Sequence, residues 1–174
     1  MTSIFSFVCS QCGDRHDGAP SFGFDVPAPY LEQTDVIKEA GVLSSDLCQY
    51  EDEDGIHHFI RACLEVPIQG YEEPFMWGIW SSLSKENFNR YVETYEQPET
   101  SDEYFGWLCN YLPYYPNTYA MKLSVHPRSD GNRPYVIPEK SDHQLSIDFH
   151  EGISIAAAQK IAEEVMHQKN TDLK

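Results

Sequence analysis

The chain has 174 residues, 41% of them hydrophobic, which is enough to bury a core; we expect one domain over 1–174, with 4–18 as a knuckle at its N-terminal edge. Its formal net charge of -16, from 28 acidic and 12 basic side chains, argues against wrapping a nucleic-acid backbone, since that attraction needs clustered Lys and Arg. No stretch approaches the ~20 apolar residues of a membrane span, and the first residues do not resemble a signal peptide, so we expect a cytoplasmic protein that binds neither nucleic acid nor membrane.

A strand followed by a cysteine pair opens the chain. Residues 4–8 form an apolar, strand-like run that leads directly into Cys9 and Cys12, with Gly13 after them. Two thiolates three positions apart, followed by a glycine that lets the backbone turn its N–H groups toward sulfur, are half of a tetrahedral zinc site. Five cysteines are an odd number, which favours reduced thiols and metal ligation over a disulfide framework.

The other two zinc ligands must come from elsewhere in the chain. His16 is the nearest third ligand, and Cys48 is the preferred fourth because it lies on a predicted strand that can run beside the knuckle. Further candidates, held in reserve, are Asp46, His143 and His150. The alternatives are two reduced thiols in a turn, or a redox pair, for which the helix and βαβ context are missing. We therefore predict a structural zinc ion held by Cys9, Cys12, His16 and Cys48.

Strands dominate the middle of the chain. An extended loop over 18–29 and a short helix over 30–40 precede two strands, 46–50 and 56–68, which flank an acidic turn ending in Asp54-Gly55. Asp-Gly between apolar runs is a strong hairpin signal. The second of these strands alternates, placing one set of residues on a buried face: His58, Ile60, Ala62, Leu64 and Val66. A third strand is predicted over 75–83.

The rest of the chain adds helices and further strands. Ser84 is the predicted N-cap of a helix that Pro98 stops. Extended segments follow at 119–126, 135–137 and 145–150. Ser154 then begins a final helix whose apolar stripe is Ile155, Ala158, Ile161, Ala162 and Val165. The pattern predicts an α+β fold: a mainly antiparallel sheet with two or three packed helices and an N-terminal zinc-knuckle-like turn.

Several other motifs favour structural roles. Cys63 and Cys109 lie in apolar surroundings and are expected to be buried small residues. His57 and His58 are neighbours on a strand, so only one of them can face a given site. The sequence at 141–143, Ser-Asp-His, contains the residue types of a catalytic triad, but no nucleophile elbow accompanies it.

A resemblance emerges from the order of short motifs along the chain. They are Cys9-Ser10-Gln11-Cys12-Gly13, Phe59-Ile60-Arg61, Phe75-Met76-Trp77-Gly78-Ile79-Trp80, Leu112-Pro113-Tyr114-Tyr115-Pro116, Arg133-Pro134, Ser141-Asp142-His143 and Glu151-Gly152-Ile153-Ser154. With this order and spacing the chain resembles the bacterial domain-of-unknown-function family 2199, from Cys9 to the last helix. The resemblance implies one intact domain of a bacterial type and no particular reaction.

The residues favour a binding role over catalysis. An incomplete catalytic inventory, the acidity and a surplus of aromatic residues predict a protein that contacts a protein partner, with an immunity or antitoxin-like inhibitor of a basic partner as the most specific hypothesis. Exposed Trp80 or Tyr114-Tyr115 would suit such a contact. A regulatory scaffold is the second binding hypothesis. The alternative class is a zinc-dependent hydrolase with an open metal position and Glu151 or Asp142 as base. The sequence leaves the oligomeric state open.

Overall fold

A computed structural model describes residues 4–99 and 101–168, so the ends of the expected domain, 1–3 and 169–174, lie outside the described residues. The elements in chain order are β1 (Ser6–Val8), β2 (Arg15–Asp17), β3 (Ser21–Gly23), α1 (Ala28–Leu31), α2 (Asp35–Ala40), β4 (Val42–Leu43), β5 (Leu47–Asp52), β6 (Gly55–Val66), β7 (Phe75–Leu83), α3 (Lys85–Glu93), β8 (Tyr104–Trp107), β9 (Lys122–His126), β10 (Tyr135–Pro138), α4 (Gln144–Glu151) and α5 (Ile155–Gln168).

Eight of the strands form one mixed sheet. Its path is β3-β7-β6-β10-β9-β8, and β5 pairs with β6 and carries β4. The pairs β3 with β7 and β10 with β6 are parallel, and the remaining pairs are antiparallel. β1 and β2 form a separate antiparallel hairpin. The fold is therefore α+β with a mainly antiparallel sheet, as predicted.

The sheet curves until β8 returns to β7. An antiparallel bridge joins Ser81 to Leu108, and the N–H of Cys109 donates to the carbonyl of Trp80 at 2.9 Å. Gly106 permits this close approach, because a Cβ there would overlap Ser81 Oγ and lie 2.5 Å from the carbonyl oxygen of Ser82. The path β7-β6-β10-β9-β8 is thereby closed on itself.

The central hairpin separates two buried clusters on opposite faces of the sheet. The alternation predicted for β6 is confirmed, since its five predicted positions are all buried. Most of them join the main core with Trp77 and Ile79 of β7. Phe59 and Trp80 face the other way, where they form a smaller cluster with Cys48, Tyr50 and Cys109.

The aromatic residues are distributed differently from the prediction. Trp80 is 0% exposed and Tyr115 is 9% exposed, so neither is a surface ring, because the smaller cluster encloses Trp80 and the main core encloses Tyr115. The exposed rings among the described residues belong instead to Phe105, Trp107, Tyr111 and Tyr119.

Two secondary-structure predictions need correction. The expected helix over 30–40 is split into α1 and α2, because Thr34 is extended and its side chain accepts from the N–H of Ile37 as a new N-cap. The expected strand over 145–150 is α4. His143 caps it by accepting from the N–H of Leu145, and the buried residues Leu145 and Asp148 are three apart, a helical spacing.

Helices α3 and α5 agree more closely with the sequence prediction. Ser84 caps α3 by accepting from the N–H of Asn87 at 3.1 Å. Ser154 accepts from the N–H of Ala157 at the start of α5, and the predicted apolar stripe of α5 is buried except for Ile155, which is 45% exposed. No helix in the described part of the chain is long and apolar enough to cross a membrane.

The close approach at Gly106 yields a stability prediction. Gly106→Ala must separate β8 from β7 or strain the backbone of Ser82. We expect the free energy of unfolding to fall by about 2 kcal/mol or more, measured by urea denaturation. The control is Phe105→Thr on the same strand, whose side chain is exposed. An unchanged Gly106→Ala variant would contradict the proposed closure.

Candidate metal centre

The turn after β1 has the conformation of a metal knuckle. The N–H of Cys9 donates to the carbonyl of Asp14 at 2.8 Å, and the N–H of Gly13 donates to the carbonyl of Cys9 at 2.9 Å. Gly13 has a φ of 77°, a left-handed conformation that glycine adopts without a steric penalty. This local sequence therefore turns the chain sharply enough to bring the two cysteines together.

A third residue, from the far end of the described chain, completes a cluster of ligand atoms. One ligand atom from each of Cys9, Cys12 and His167 lies within 4.8 Å of the others. The Sγ of Cys9 is 3.2 Å from Nε2 of His167. Cys9 is buried, Cys12 is exposed and His167 is half-buried, so the cluster reaches from the core to the surface.

The two thiols have different acidities. Burial raises the pKa of Cys9, but the N–H of Cys12, the His167 ring and the N–H of Gln11 stabilise the thiolate and bring the pKa from 9.0 down to about 6. The N–H of Asp14 lowers the pKa of Cys12, yet the neighbouring Cys9 raises it to a net value above normal. Two sulfurs that compete for one proton are well placed to share a cation.

The donor set fits zinc. Two thiolates and an imidazole are ligands that zinc favours, and tetrahedral bond lengths place a sulfur and a nitrogen ligand about 3.5 Å apart. The observed 3.2 Å between Cys9 Sγ and His167 Nε2 is close to that value. The three residues could therefore hold a zinc ion with little rearrangement and leave one coordination position for a further ligand.

Helix α5 is hydrogen-bonded to the knuckle through the carboxylate of Glu163. Glu163 accepts from the backbone N–H of Ser10 at 2.6 Å and from its hydroxyl at 2.7 Å. Gln159 donates to Glu163 at 2.9 Å and to the carbonyl of Val8 at 3.0 Å. Glu163 is buried, at 7% exposure. The hydrogen bonds fix the position of α5 relative to the knuckle, and so the position of His167.

The sequence carries an indirect signal for His167. Gln159, Glu163 and His167 recur at intervals of four, so they share one face of α5. A polar row on a helix that otherwise carries an apolar stripe indicates a polar contact. The sequence gives no direct indication that this contact is the cysteine pair, 158 positions from His167.

The structure places the other two predicted ligands apart from this cluster. His16 lies on β2 opposite Phe7, with their rings 5.2 Å apart, and its Nε2 is buried with no hydrogen-bond partner among the described residues. Cys48 pairs with Phe59 and belongs to the smaller cluster, whereas Cys9 belongs to the main core. Burial raises the pKa of Cys48 to about 12. Their role as ligands stays a prediction.

The reserve ligands are engaged elsewhere. Asp46 accepts from Nε of Arg133 at 2.7 Å. His143 caps α4, and His150 contacts the carbonyl of Pro138 at 2.7 Å. The sequence at 141–143 does not converge as a triad, because the hydroxyl of Ser141 accepts from the N–H of His143 instead of facing its ring.

Comparison with known proteins gives a match to one family model. Residues 8–153 match the model of a family described as "Uncharacterized protein conserved in bacteria (DUF2199)". The matched range includes both cysteines of the cluster. No curated protein and no solved structure matches the chain.

The carboxylate of Glu163 supplies a test of how α5 is held. The hydrogen bond from the N–H of Ser10, followed by that from Gln159, lowers the pKa of Glu163 below its ordinary 4.5. The stabilisation that the Glu163 carboxylate provides is therefore complete above pH 4.5, the ordinary pKa of glutamate in the unfolded chain. It is lost as the pH falls through the lower pKa of the folded state. We expect Glu163→Gln to lower the free energy of unfolding at pH 7 by about 1–3 kcal/mol.

The measurement is urea denaturation with a chelator present, so that metal binding does not contribute. The deficit of Glu163→Gln relative to wild type should shrink as pH is lowered below about 4. Glu164→Gln is the control, since Glu164 has no hydrogen bond to Ser10. A deficit that is independent of pH would contradict the role of the charge.

Proposed function

The chain belongs to the DUF2199 family of bacterial proteins, and within that family we propose that it is a non-enzymatic, zinc-binding protein that acts by contacting a protein partner. The observation that carries the zinc assignment is the meeting of Cys9, Cys12 and His167 within 4.8 Å. The ion would be structural: its ligands would join the N-terminal knuckle to the last helix.

A structural role is supported by the surroundings of the cluster. Cys9 is part of the main core, at 1% exposure, and α5 buries Ala158, Ile161 and Ala162 in the same core. An ion bound by Cys9 and His167 would link residues 158 positions apart. Because such a site does not exist in the unfolded chain, the metal-binding energy would be folding energy.

The zinc-dependent hydrolase is the second candidate, favoured by one observation. Three protein ligands leave an open position, as in catalytic zinc sites, and a groove of about 390 Å³ borders His167 and Glu163. The carboxylates that line the groove are Glu163 and Glu164, of which Glu164 is the candidate for a general base. Both carboxylate oxygens of Glu163 accept hydrogen bonds from Ser10, and the two bases suggested by the sequence, Asp142 and Glu151, do not line the groove.

Metal analysis tests the zinc proposal. We expect protein purified without a metal-binding tag to contain one zinc per chain, and we expect Cys9→Ser/Cys12→Ser and His167→Gln to lose it. A metal present at about 1,000 times its Kd adds about 4 kcal/mol of stability, so Tm should fall by about 10 °C in these variants and in chelator-treated wild type.

Two further variants separate this ligand set from the one predicted by sequence. Cys48→Ala should retain the metal, because Cys48 lies in the other cluster. His16→Gln determines whether His16 supplies the fourth ligand. Absence of stoichiometric metal from wild type would contradict the zinc proposal. In cobalt-substituted protein, a visible spectrum that changes on adding azide would indicate an open position and favour the hydrolase.

The partner proposal rests on charge. The net charge is -16, and Glu51, Glu53 and Asp54 present exposed carboxylates at the hairpin between β5 and β6. Complementary charge speeds association and selects partners more than it adds affinity. An immunity or antitoxin-like inhibitor, which neutralises a basic toxin or nuclease, is the specific form of this proposal.

Affinity capture from the native bacterium at two salt concentrations tests it. We expect a basic protein to be retained at about 50 mM salt and weakened strongly at about 500 mM, because salt screens charge pairs. Glu53→Lys/Asp54→Lys should weaken the same interaction, with Glu72→Lys/Glu73→Lys as the control for total charge. A partner that is not basic, or retention indifferent to salt, would remove the electrostatic argument.

A further inference from the structure

A second hollow of the described residues lies away from the metal cluster. It is a cleft of about 480 Å³ between the β5–β6 hairpin, the start of α3 and the chain that joins β8 to β9. None of Cys9, Cys12 and His167 lines it. Its volume falls within the range of about 300–1,000 Å³ that small-molecule sites occupy.

A buried polar side chain lines this cleft without a hydrogen-bond partner. Tyr50 is 4% exposed, and within residues 4–99 and 101–168 no group donates to or accepts from its hydroxyl. Tyr50 pairs with His57 across the β5–β6 hairpin, with the two rings 4.9 Å apart, so it lies on the face of the smaller cluster, whereas His58 faces Phe88 of the main core. Buried polar groups are normally satisfied, so the Tyr50 hydroxyl has hydrogen-bonding capacity to offer a ligand.

A cation also lines the cleft. Lys85 is the first residue of α3, and no carboxylate in the described chain pairs with it. The positive end of the α3 dipole adds to the field at the same place.

The hairpin carboxylate Asp52 is already engaged. Asp52 Oδ1 is 2.8 Å from Nε2 of His57 and accepts from the N–H of Asp54 at 2.9 Å. In a chain with 28 acidic and 12 basic side chains, a cleft lysine without a carboxylate partner is an unusual arrangement.

Aromatic rings form the other wall. Trp107 is 41% exposed and Tyr119 is 36% exposed, and both line the cleft. Ala120 follows Tyr119 and also lines the cleft. Its φ is 62°, a left-handed conformation that residues other than glycine rarely adopt. The backbone is thus held in a strained shape at the point where it presents Tyr119.

We propose that this cleft binds a small planar aromatic anion, with the ring against Trp107 and Tyr119 and the anionic group at Lys85. The hydroxyl of Tyr50 supplies a further hydrogen bond. An aromatic carboxylate and a nucleoside monophosphate share this chemistry, and the cleft is large enough for either.

The test uses the indole N–H signals of the three tryptophans in NMR titrations. Trp77 and Trp80 are buried, at 1% and 0% exposure, so Trp107 is the reporter, assigned with Trp107→Phe. The probes are 4-hydroxybenzoate, adenosine 5′-monophosphate and neutral 4-hydroxybenzamide. We expect at least one of the two anions to shift the Trp107 signal saturably, with a Kd of about 1 mM or lower, and the amide to bind at least about 10-fold more weakly.

Charge variants complete the design. Lys85→Gln should weaken binding of the anion by about 10-fold, whereas Lys140→Gln, at an exposed lysine outside the cleft, should leave it unchanged. Tyr50→Phe should weaken it as well, with Tm reported for each variant to exclude unfolding. Binding by the carboxylate alone, the phosphate alone or both supports the proposal and identifies the source. Failure of both anions to saturate at 10 mM, equal affinity for the amide, or an unchanged Lys85→Gln variant would overturn it.

Discussion

β6 pairs with β7 from His58 to Val66 along one edge, and β5 and β10 share its other edge. Because side chains of a strand alternate between faces, the buried residues of β6 and of the strands paired with it face either the main core or the smaller cluster. This division between the two faces determines which cysteines can share a metal ion. Cys9 packs into the main core and Cys48 into the smaller cluster, so the sheet separates two cysteines that the sequence analysis assigns to one zinc site.

Features encoded within a few residues could be predicted from the sequence, and features that depend on the tertiary structure could not. The alternation of β6, the Asp54-Gly55 turn and the cap at Ser84 are local, and each was predicted. The segment over 145–150 alternates in apolar character like a strand, but the cap supplied by His143 favours a helix. At the metal cluster, the cysteine pair was visible as a motif, whereas His167 joins it only through the docking of α5 by Glu163.

The cleft shows the same dependence on tertiary structure. The sequence gives no reason to associate Tyr50 with Lys85, Trp107 and Tyr119. They meet because β8 returns to β7 through Gly106, which carries Trp107 and the following turn over the end of the hairpin. A glycine that looks unremarkable in the sequence thus determines where the largest aromatic surface residues lie.

The distance along the chain between Cys9 and His167 has a consequence for biosynthesis. The N-terminal cysteines leave the ribosome first, and synthesis proceeds at about 5–20 residues per second, so about ten seconds or more pass before α5 emerges. During that interval the nascent chain offers two thiolates and no imidazole from α5 to a metal. A metal held by all three residues could bind only after α5 has docked, so a filled site would mark a chain in which α5 has been made and packed against the knuckle.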